Sequence, residues 1–219
     1  MTRTPPAGLA RGPGRASEMR SWAGGRPVRA ALACVAAAAL AACSGPGAFA
    51  GSAAEPAPVP RLAGRGVMVL PVQSRPGLSA GDAADVDAEI AFWAADAAQG
   101  QPWSFAPDLD ALVEREPALG LRTRGLAIAA LLDDDRGHIG DPLLGDLRRL
   151  GAVADRGLAL VPARLLPPAQ PGAGLRLDLA LVNTVGGAVL WRGRIEGVAE
   201  EGTSAAAVLA RAFVRSFLE

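Results

Sequence analysis

The chain has 219 residues, half of them apolar, with 22 basic and 22 acidic side chains. This length suits one modest domain plus a targeting segment. Every basic residue is arginine, and the absence of lysine excludes a phosphate-binding Walker loop, a Schiff base and a Ser-Lys dyad. After residue 43 there remain 16 basic and 21 acidic residues, a formal charge of −5. An acidic domain repels phosphate backbones, so we expect no nucleic-acid partner.

The N-terminal segment is typical of an export signal. An apolar run spans residues 31–42 behind an arginine-containing segment. Spanning a bilayer takes about 20 apolar residues, so the run is too short for a transmembrane helix and has the length of a signal-peptide hydrophobic region. A start at Met19 would give a more typical leader. The alternative interpretation is a buried alanine-rich helix that ends in a chance cysteine.

The apolar run ends in Leu40-Ala41-Ala42-Cys43, which resembles the lipobox of bacterial lipoproteins. The resemblance implies that residues 1–42 are removed and that Cys43 becomes the first mature residue, with lipid on its thiol. The acyl chains would then hold the protein permanently at a membrane. The next residue is serine, whereas an aspartate would resemble the inner-membrane retention signal. We therefore expect the periplasmic face of the outer membrane.

Residues 43–65 form the lipidated cysteine and a tether rich in glycine, proline and alanine. Such a composition cannot bury enough apolar surface to order itself. Fully extended as polyproline, a tether of this length reaches about 60 Å. Residues 66–219 are predicted to form a single periplasmic domain.

Apolar periodicity and turn residues predict five elements in the first half of the domain. These are strands at 66–73 and 103–105 and helices at 82–98, 107–116 and 142–150, with a further helical segment at 125–132 outside this order. Ile90, Trp93 and Ala97 fall on one stripe of the first helix, with acidic residues in its early turns. Asp141 is the predicted cap of the helix that starts at Pro142.

The clearest pattern is a β-hairpin near the C-terminus. After a predicted strand at 157–166, leucines alternate with Arg176, Asp178 and Ala180 over 175–181, and a second alternation covers 189–196. Turn residues over 183–187 join the two strands. A helix capped by Thr203 or Ser204 closes the chain. The predicted order is β-α-β-α-α-β-β-β-α: an α/β (α+β) fold with a mixed sheet that ends in the antiparallel hairpin, helices packed on it and an amphipathic C-terminal helix.

Three segments resemble a family of envelope proteins that includes the amino-terminal domain of TolB, the lipoprotein CsgG and the activator LpoB. The segments are V-M-V-L-P from Val67, L-A-L-V from Leu158, and L-R-L-D-L-A-L-V-N-T-V-G-G-A-V-L-W from Leu175. The resemblance implies an α/β sandwich used as a periplasmic interaction module, and it carries over no catalytic residue. The family's turn often reads Asp-x-x-Thr-Gly, whereas this turn begins at Asn183. The propeller repeats of TolB and recognisable membrane hairpins of CsgG are absent from the sequence.

The sharpest polar cluster is Asp133-Asp134-Asp135-Arg136-Gly137-His138, with Asp141 beyond it. Its carboxylates are close enough to suggest calcium, but the spacing departs from an EF-hand, and a solvated acidic loop is the simpler interpretation. His138 is the one histidine, so the sequence offers neither a zinc ligand set nor a triad with a nucleophile elbow. We expect no metal, no cofactor, no nucleotide and no catalytic residues.

Trp93, Trp103 and Trp191 either line a ligand groove for peptide or glycan or belong to the core. The leading functional hypothesis is a non-enzymatic lipoprotein that binds another envelope protein or assembles with itself. An accessory lipoprotein of a transport or secretion system, which binds lipid or exported substrate in a groove beside the hairpin, is the alternative. An envelope hydrolase of unfamiliar chemistry is the third hypothesis.

Overall fold

The computed structural model describes residues 58–62, 64–133, 135–170 and 172–219. The predicted signal peptide, the lipobox with Cys43 and the tether up to residue 57 lie outside the described residues. Within the described ranges, no helix combines the length and the apolar character needed to cross a bilayer.

The described residues form one five-stranded sheet in the order β2-β1-β3-β4-β5. The strands are β1 (Val67–Val69), β2 (Trp103–Ser104), β3 (Leu158–Leu166), β4 (Leu175–Asn183) and β5 (Val189–Gly197). Strand β1 pairs in parallel with β2 and β3, whereas β4 is antiparallel to both β3 and β5. The predicted fold class, a mixed sheet that ends in an antiparallel hairpin, is confirmed.

Four α-helices cover the two faces of the sheet. They are α1 (Ala80–Ala97), α2 (Ala106–Arg115), α3 (Leu143–Ala154) and α4 (Ala205–Phe217). Helices α1 and α4 share one core cluster with the sheet, and α2 and α3 share the other. The order of strands and α-helices agrees with the prediction. The predicted helix at 125–132 is instead a single 3₁₀ turn, Ile128–Leu131.

Local capping chemistry moves the start of α1 ahead of the predicted residue 82. The hydroxyl of Ser79 accepts from the backbone N–H of Asp82 at 3.2 Å, and the Asp82 carboxylate accepts from the Ser79 N–H at 2.7 Å. This reciprocal capping box satisfies two amides that the first turn leaves without partners. Strand β1 is shorter than its apolar run, because Pro71 has no N–H and the Val72 N–H donates to the Asp87 carboxylate instead of to a neighbouring strand.

Alternation along the hairpin divides its side chains between the two cores. Leu177, Leu179 and Leu181 of β4 face α1 and α4, whereas Ala180 and Val182 face α3. This two-residue period is the one that the sequence displays. Helix α4 completes the first core with the fully buried Phe213.

The folded domain begins before the predicted boundary at residue 66. Leu62 is buried and Val59 packs against the same core. The backbone N–H of Gly64 also donates to the side-chain oxygen of Gln101 at 3.2 Å. The segment assigned to the tether therefore contributes its last residues to the domain, and both core clusters lie between residues 59 and 218.

Candidate interaction surface on helix α1

The outer face of α1 carries two large aromatic side chains in water. Phe92 is 71% exposed and Trp93 is 39% exposed. Their rings meet edge to face with centroids 5.7 Å apart, an arrangement that aromatic quadrupoles favour. An adjacent pair of this size presents more apolar surface than the single exposed residues that are ordinary on a protein.

The predicted stripe of α1 placed Trp93 with the core residues, and this assignment is wrong. The buried positions of α1 are Ala83, Val86, Asp87, Ile90 and Ala94. A helix turns 100° per residue, so the position four after Ile90 continues its stripe better than the position three after it. Trp93 consequently lies at the border of the buried stripe.

Polar contacts fix the Trp93 ring on the surface. Its indole N–H donates to the Glu89 carboxylate at 3.0 Å. The guanidinium of Arg211, on α4, lies 5.6 Å from the ring centroid, a cation–π distance. Arg211 also donates to the carboxylate of Glu200 at 3.2 Å. The ring is therefore held in one orientation without being covered.

A groove of about 320 Å³ runs beside Trp93 between α1 and α4. Its lining combines apolar and charged side chains: Trp93, Glu200, Val208, Arg211, Val214, Arg215 and Glu219. Arg215 forms no ion pair with any described residue, whereas Arg211 is paired. The groove therefore offers an apolar floor with a free guanidinium beside it, a surface suited to an apolar side chain that neighbours a carboxylate.

Trp103 lines a second groove, of about 310 Å³, on the other side of α1. The lining is mainly apolar: Ala91, Ala95, Ala98, Trp103, Phe105, Pro107 and Asp108. The Trp103 ring stacks on Phe105 with centroids 6.1 Å apart, and its buried indole N–H has no acceptor among the described residues. Along the chain, Phe92 lies between Ala91, which lines this second groove, and Trp93, which lines the first.

Trp191 lies inside the core. It is 7% exposed and meets Phe217 of α4 edge to face, with centroids 5.3 Å apart. The three tryptophans predicted to line one ligand groove are therefore in three different places. Trp93 and Trp103 line separate grooves, and Trp191 is in the core. Ligand binding at the groove of Trp93 or at that of Trp103 stays a prediction.

A polar clamp fills the carboxyl end of β1, the position where open α/β sheets commonly bind ligands. The buried carboxylate of Asp87 accepts from the Val72 N–H at 2.9 Å and from Arg124 at 2.8 Å. Arg124 also pairs with Asp110 at 3.2 Å, and Asp110 accepts from the Thr123 hydroxyl. The loop that carries Thr123 and Arg124 thus occupies this crevice with the chain's own side chains.

The acidic cluster that follows the 3₁₀ turn Ile128–Leu131 forms a loop, which hydrogen bonds and an ion pair within the cluster hold in place. Asp133 pairs with Arg136 at 2.7 Å, and this bond lowers the pKa of the Asp133 carboxyl. Asp134 lies outside the described residues. His138 is exposed and its backbone bridges to Ala188 at the start of the hairpin's second strand. Within the described part of the chain, no three His, Cys, Asp or Glu side chains are grouped as metal ligands.

Asp141 contributes to a helix start, near the predicted position. Its carboxylate accepts from the backbone N–H of Gly145 at 3.0 Å, inside the first turn of α3. The helix itself begins at Leu143 and continues to Ala154, four residues beyond the predicted end. The side chain therefore satisfies one of the amides that a helix start leaves open.

The chain is similar to several solved structures at low sequence identity. The chain is similar to the LpoB C-terminal domain from Salmonella enterica, with 14% identity over 63% of this chain and 84% of that chain, and a TM-score of 0.39. The values for the LpoB C-terminal domain from Escherichia coli are 18%, 63%, 84% and 0.38. Those for the lipoprotein GNA1162 from Neisseria meningitidis are 16%, 69%, 96% and 0.38. Likeness at this level does not bear on what this chain binds.

No protein-family model matches the sequence, and no curated protein matches it. The function has therefore to be inferred from the residues themselves. Two of these residues, Phe92 and Arg215, were not predicted from the sequence patterns. Phe92 adjoins the core stripe of α1 without belonging to it, and an exposed aromatic has no periodicity that reveals it. Arg215 lies outside the stripe of α4, but only the tertiary structure places it beside Trp93.

Proposed function

We propose that this chain is a non-enzymatic lipoprotein of the cell envelope, anchored through Cys43 to the periplasmic face of the outer membrane. Its domain binds another envelope protein or a second copy through Phe92, Trp93 and the groove beside them that Arg211 and Arg215 line, which we name the α1–α4 surface. One observation carries the proposal: Phe92 stands 71% exposed against Trp93, beside a groove of about 320 Å³. Aromatic residues and arginine are enriched at the centres of protein interfaces, where their burial supplies most of the affinity.

The side chains around Trp93 specify the chemistry of the partner segment. Val208 and Val214 give the groove an apolar floor, and Arg215 adds a cation that lines the groove with Glu219 and forms no ion pair with a described residue. A partner segment that places an apolar side chain next to an Asp, a Glu or a terminal carboxylate satisfies both features. The preoriented Trp93 ring lowers the entropy lost on binding, because its rotamer is already fixed by Glu89 and Arg211.

The anchor is supported by the sequence around Cys43. The basic flank, the short apolar run, the lipobox and the proline-rich stretch that follows agree with one another. A lipid on Cys43 confines the domain to a surface, which raises its effective concentration toward partners at the same membrane. A modest groove then suffices for binding.

The apolar face of the hairpin gives no comparable support to a lipid-carrying role. Leu177, Leu179 and Leu181 are fully or almost fully buried, and they pack with Trp191 and Phe213 in the core beneath α1 and α4. The space in which a lipid chain would lie beside these residues is filled by side chains. We therefore place the binding surface on the outside of α1.

Pull-down from membranes with the lipidated protein tests this surface, with self-association measured by analytical ultracentrifugation. Phe92→Ser and Arg215→Gln should each reduce capture of the same partner, or the dimer fraction, at least tenfold. Leu119→Ser is the matched control, because Leu119 is 48% exposed outside α1 and α4. Equal capture and equal self-association by wild type, Phe92→Ser and Arg215→Gln would exclude this surface.

A further inference from the structure

One edge of the sheet gathers the starts of the parallel strands and the turn of the hairpin. Val67 of β1 is in register with Leu158 of β3, and Leu158 is in register with Asn183, the last residue of β4. The hairpin turn follows Asn183 directly. The segment that leads into β1 also reaches this edge, because the Leu158 N–H donates to the carbonyl of Gly66 at 3.2 Å. We name this edge the tether end.

Three arginines belong to the tether end. Arg65 immediately precedes Gly66, and the Arg156 side chain packs on Gly66, where a β-carbon would lie 3.2 Å from its Cδ. Arg148, near the end of α3, donates from Nε and Nη2 to the carbonyl oxygen of Val185 in the hairpin turn, at 2.8 and 2.6 Å. The contacts of Arg148 and Arg156 thus place both side chains at this edge, and Arg65 adjoins it in the chain.

No ion pair with a described residue neutralises the arginines of this surface. Arg148 and Arg156 donate to neutral backbone carbonyls, and none of the three arginines forms an ion pair with a described residue. Asp155 is the exposed carboxylate between them in the chain. Asp96 and Glu219 belong to α1 and α4, on the other face of the sheet. The basic surface is therefore on the α3 side of the tether end.

An apolar tip projects beside these arginines. Val185 is 70% exposed, although valine is usually buried. The Asn183 side chain fixes the turn by accepting from the N–H groups of Val185 and Gly186, both at 2.9 Å. A short apolar tip flanked by arginines matches the boundary between lipid headgroups and acyl chains, where apolar groups enter and guanidinium groups bind phosphate.

The opposite edge of the sheet has exposed acidic residues. They are Asp82 and Asp85 at the start of α1 and Glu200 and Glu201 ahead of α4, of which Glu200 pairs with Arg211; Arg75 is the exposed arginine between β1 and α1. The chain after residue 43 carries a formal charge of −5 in all. An anionic surface therefore repels the domain in most orientations and attracts the tether end, which gives the charge distribution a preferred direction.

We propose that the tether end lies against the bilayer, with Arg65, Arg148 and Arg156 binding the phosphates of anionic lipids and Val185 entering the headgroup boundary. The orientation rests on the anchor at Cys43 proposed above. The 14 residues between that anchor and Pro58 reach at most about 50 Å, so the domain stays within contact distance of the membrane. The α1–α4 surface then extends away from the lipid plane along its length and stays accessible to a partner.

Chemical coupling of a lipid to the purified chain tests this orientation independently of whether Cys43 is lipidated in the cell. The chain from Cys43 to Glu219 contains both core clusters and has Cys43 as its one cysteine. Its thiol is joined to a maleimide lipid in vesicles of phosphatidylcholine alone or with phosphatidylglycerol. Amide hydrogen exchange over residues 184–188 should be several-fold slower on the anionic vesicles, and raised salt should abolish the difference.

The triple variant Arg65→Gln/Arg148→Gln/Arg156→Gln should lose this protection. A control with the same charge change at exposed arginines elsewhere, Arg75→Gln/Arg115→Gln/Arg122→Gln, should keep it. Arg148→Lys preserves charge without the two-pronged bond to the turn, so it should also keep the protection. Equal exchange on both kinds of vesicle, or protection that survives in the triple variant, would overturn the orientation and leave both lipidation and the α1–α4 surface unaffected.

Discussion

The two edges of the sheet use arginine differently. At the carboxyl end of β1, Arg124 binds the carboxylates of Asp87 and Asp110 and closes the crevice. At the tether end, Arg148 and Arg156 bind backbone carbonyls and keep their net charge. An arginine bonded to carboxylates contributes to stability, whereas an arginine bonded to carbonyls is positioned and still attracts anions. The comparison separates an edge that holds the fold together from an edge that is available for binding.

The largest effect is expected at the clamp. Asp87→Ala removes the acceptor of the buried Val72 N–H and the partner of Arg124, so the free energy of unfolding should fall by about 2–3 kcal/mol. Half of the Arg124 side chain is solvated, which keeps the loss below that of a fully buried pair. Urea unfolding measures the change. Asp85→Ala, an exposed position on the same helix, is the control and should differ from wild type by less than about 0.5 kcal/mol.

Close packing at the tether end predicts the next largest effect. A β-carbon at Gly151 of α3 would lie 2.7 Å from the carbonyl oxygen of Arg156 and 3.0 Å from the Thr184 hydroxyl. Gly151→Ala should therefore lower the free energy of unfolding by about 1–2 kcal/mol, after the gain in helix propensity is subtracted. At Gly157 a β-carbon meets nothing within 4 Å. Thermal unfolding in which Gly151→Ala is as stable as Gly157→Ala would refute the close contact.

Two aspartates bonded to arginine should respond to pH in opposite directions. Burial raises the pKa of Asp87 above its usual 3.8, although bonds from Val72 and Arg124 oppose the rise. Partial burial also acts to raise the pKa of Asp178, but bonds from Arg194 and Arg164 outweigh it and lower that pKa. The number of arginine partners and the depth of burial thus decide whether the pKa of each aspartate is raised or lowered.

The native state binds the Asp87 proton more tightly than the unfolded chain does. The contribution of Asp87 to stability therefore falls as pH rises from 3.8 through its raised native pKa. The contribution of Asp178, at most about 1 kcal/mol, is present above 3.8 and is lost as pH falls through its lowered native pKa. Urea unfolding of wild type, Asp87→Asn and Asp178→Asn across this pH range measures both contributions. As pH rises, the free energy of unfolding of wild type should fall relative to that of Asp87→Asn and should rise relative to that of Asp178→Asn. Slopes of the same sign would contradict the assignment.

The smallest effect on stability is expected for Arg148→Gln. Its two bonds to the Val185 carbonyl are at an exposed position, where bonds of this kind contribute about 0.5 kcal/mol or less. Circular dichroism should find a midpoint of thermal unfolding close to that of wild type. A loss as large as that of Asp87→Ala would mean that the tether end, like the clamp, is built for stability.

The sequence predicted most of the fold because its strongest signals are local. The alternation from Leu175 to Leu181 specifies a strand with one buried face, and the turn after Asn183 specifies the hairpin, as observed. Boundaries were less accurate where one side chain decides them. Ser79 and Asp82 begin α1 through their reciprocal bonds, which compete with the apolar pattern that starts later.

The site was less accessible to sequence reasoning because it depends on contacts between distant residues. Asp87 was expected among the acids that favour the early turns of the first helix, but it is buried and bonded to Arg124, 37 residues further along the chain. Trp93 and Arg211 are separated by more than a hundred residues and meet only because α1 and α4 pack on the same face. Periodicity identifies which face of a helix is buried, but it does not identify which cation a distant loop or helix brings to its border.

Intact-mass spectrometry of the native protein, extracted from membranes of the cells that make it, tests the proposed anchor most directly. We predict a polypeptide that begins at Cys43 and carries acyl chains on that residue, with residues 1–42 absent. An unmodified thiol at Cys43 with the leader still attached would contradict both the membrane placement and the envelope function.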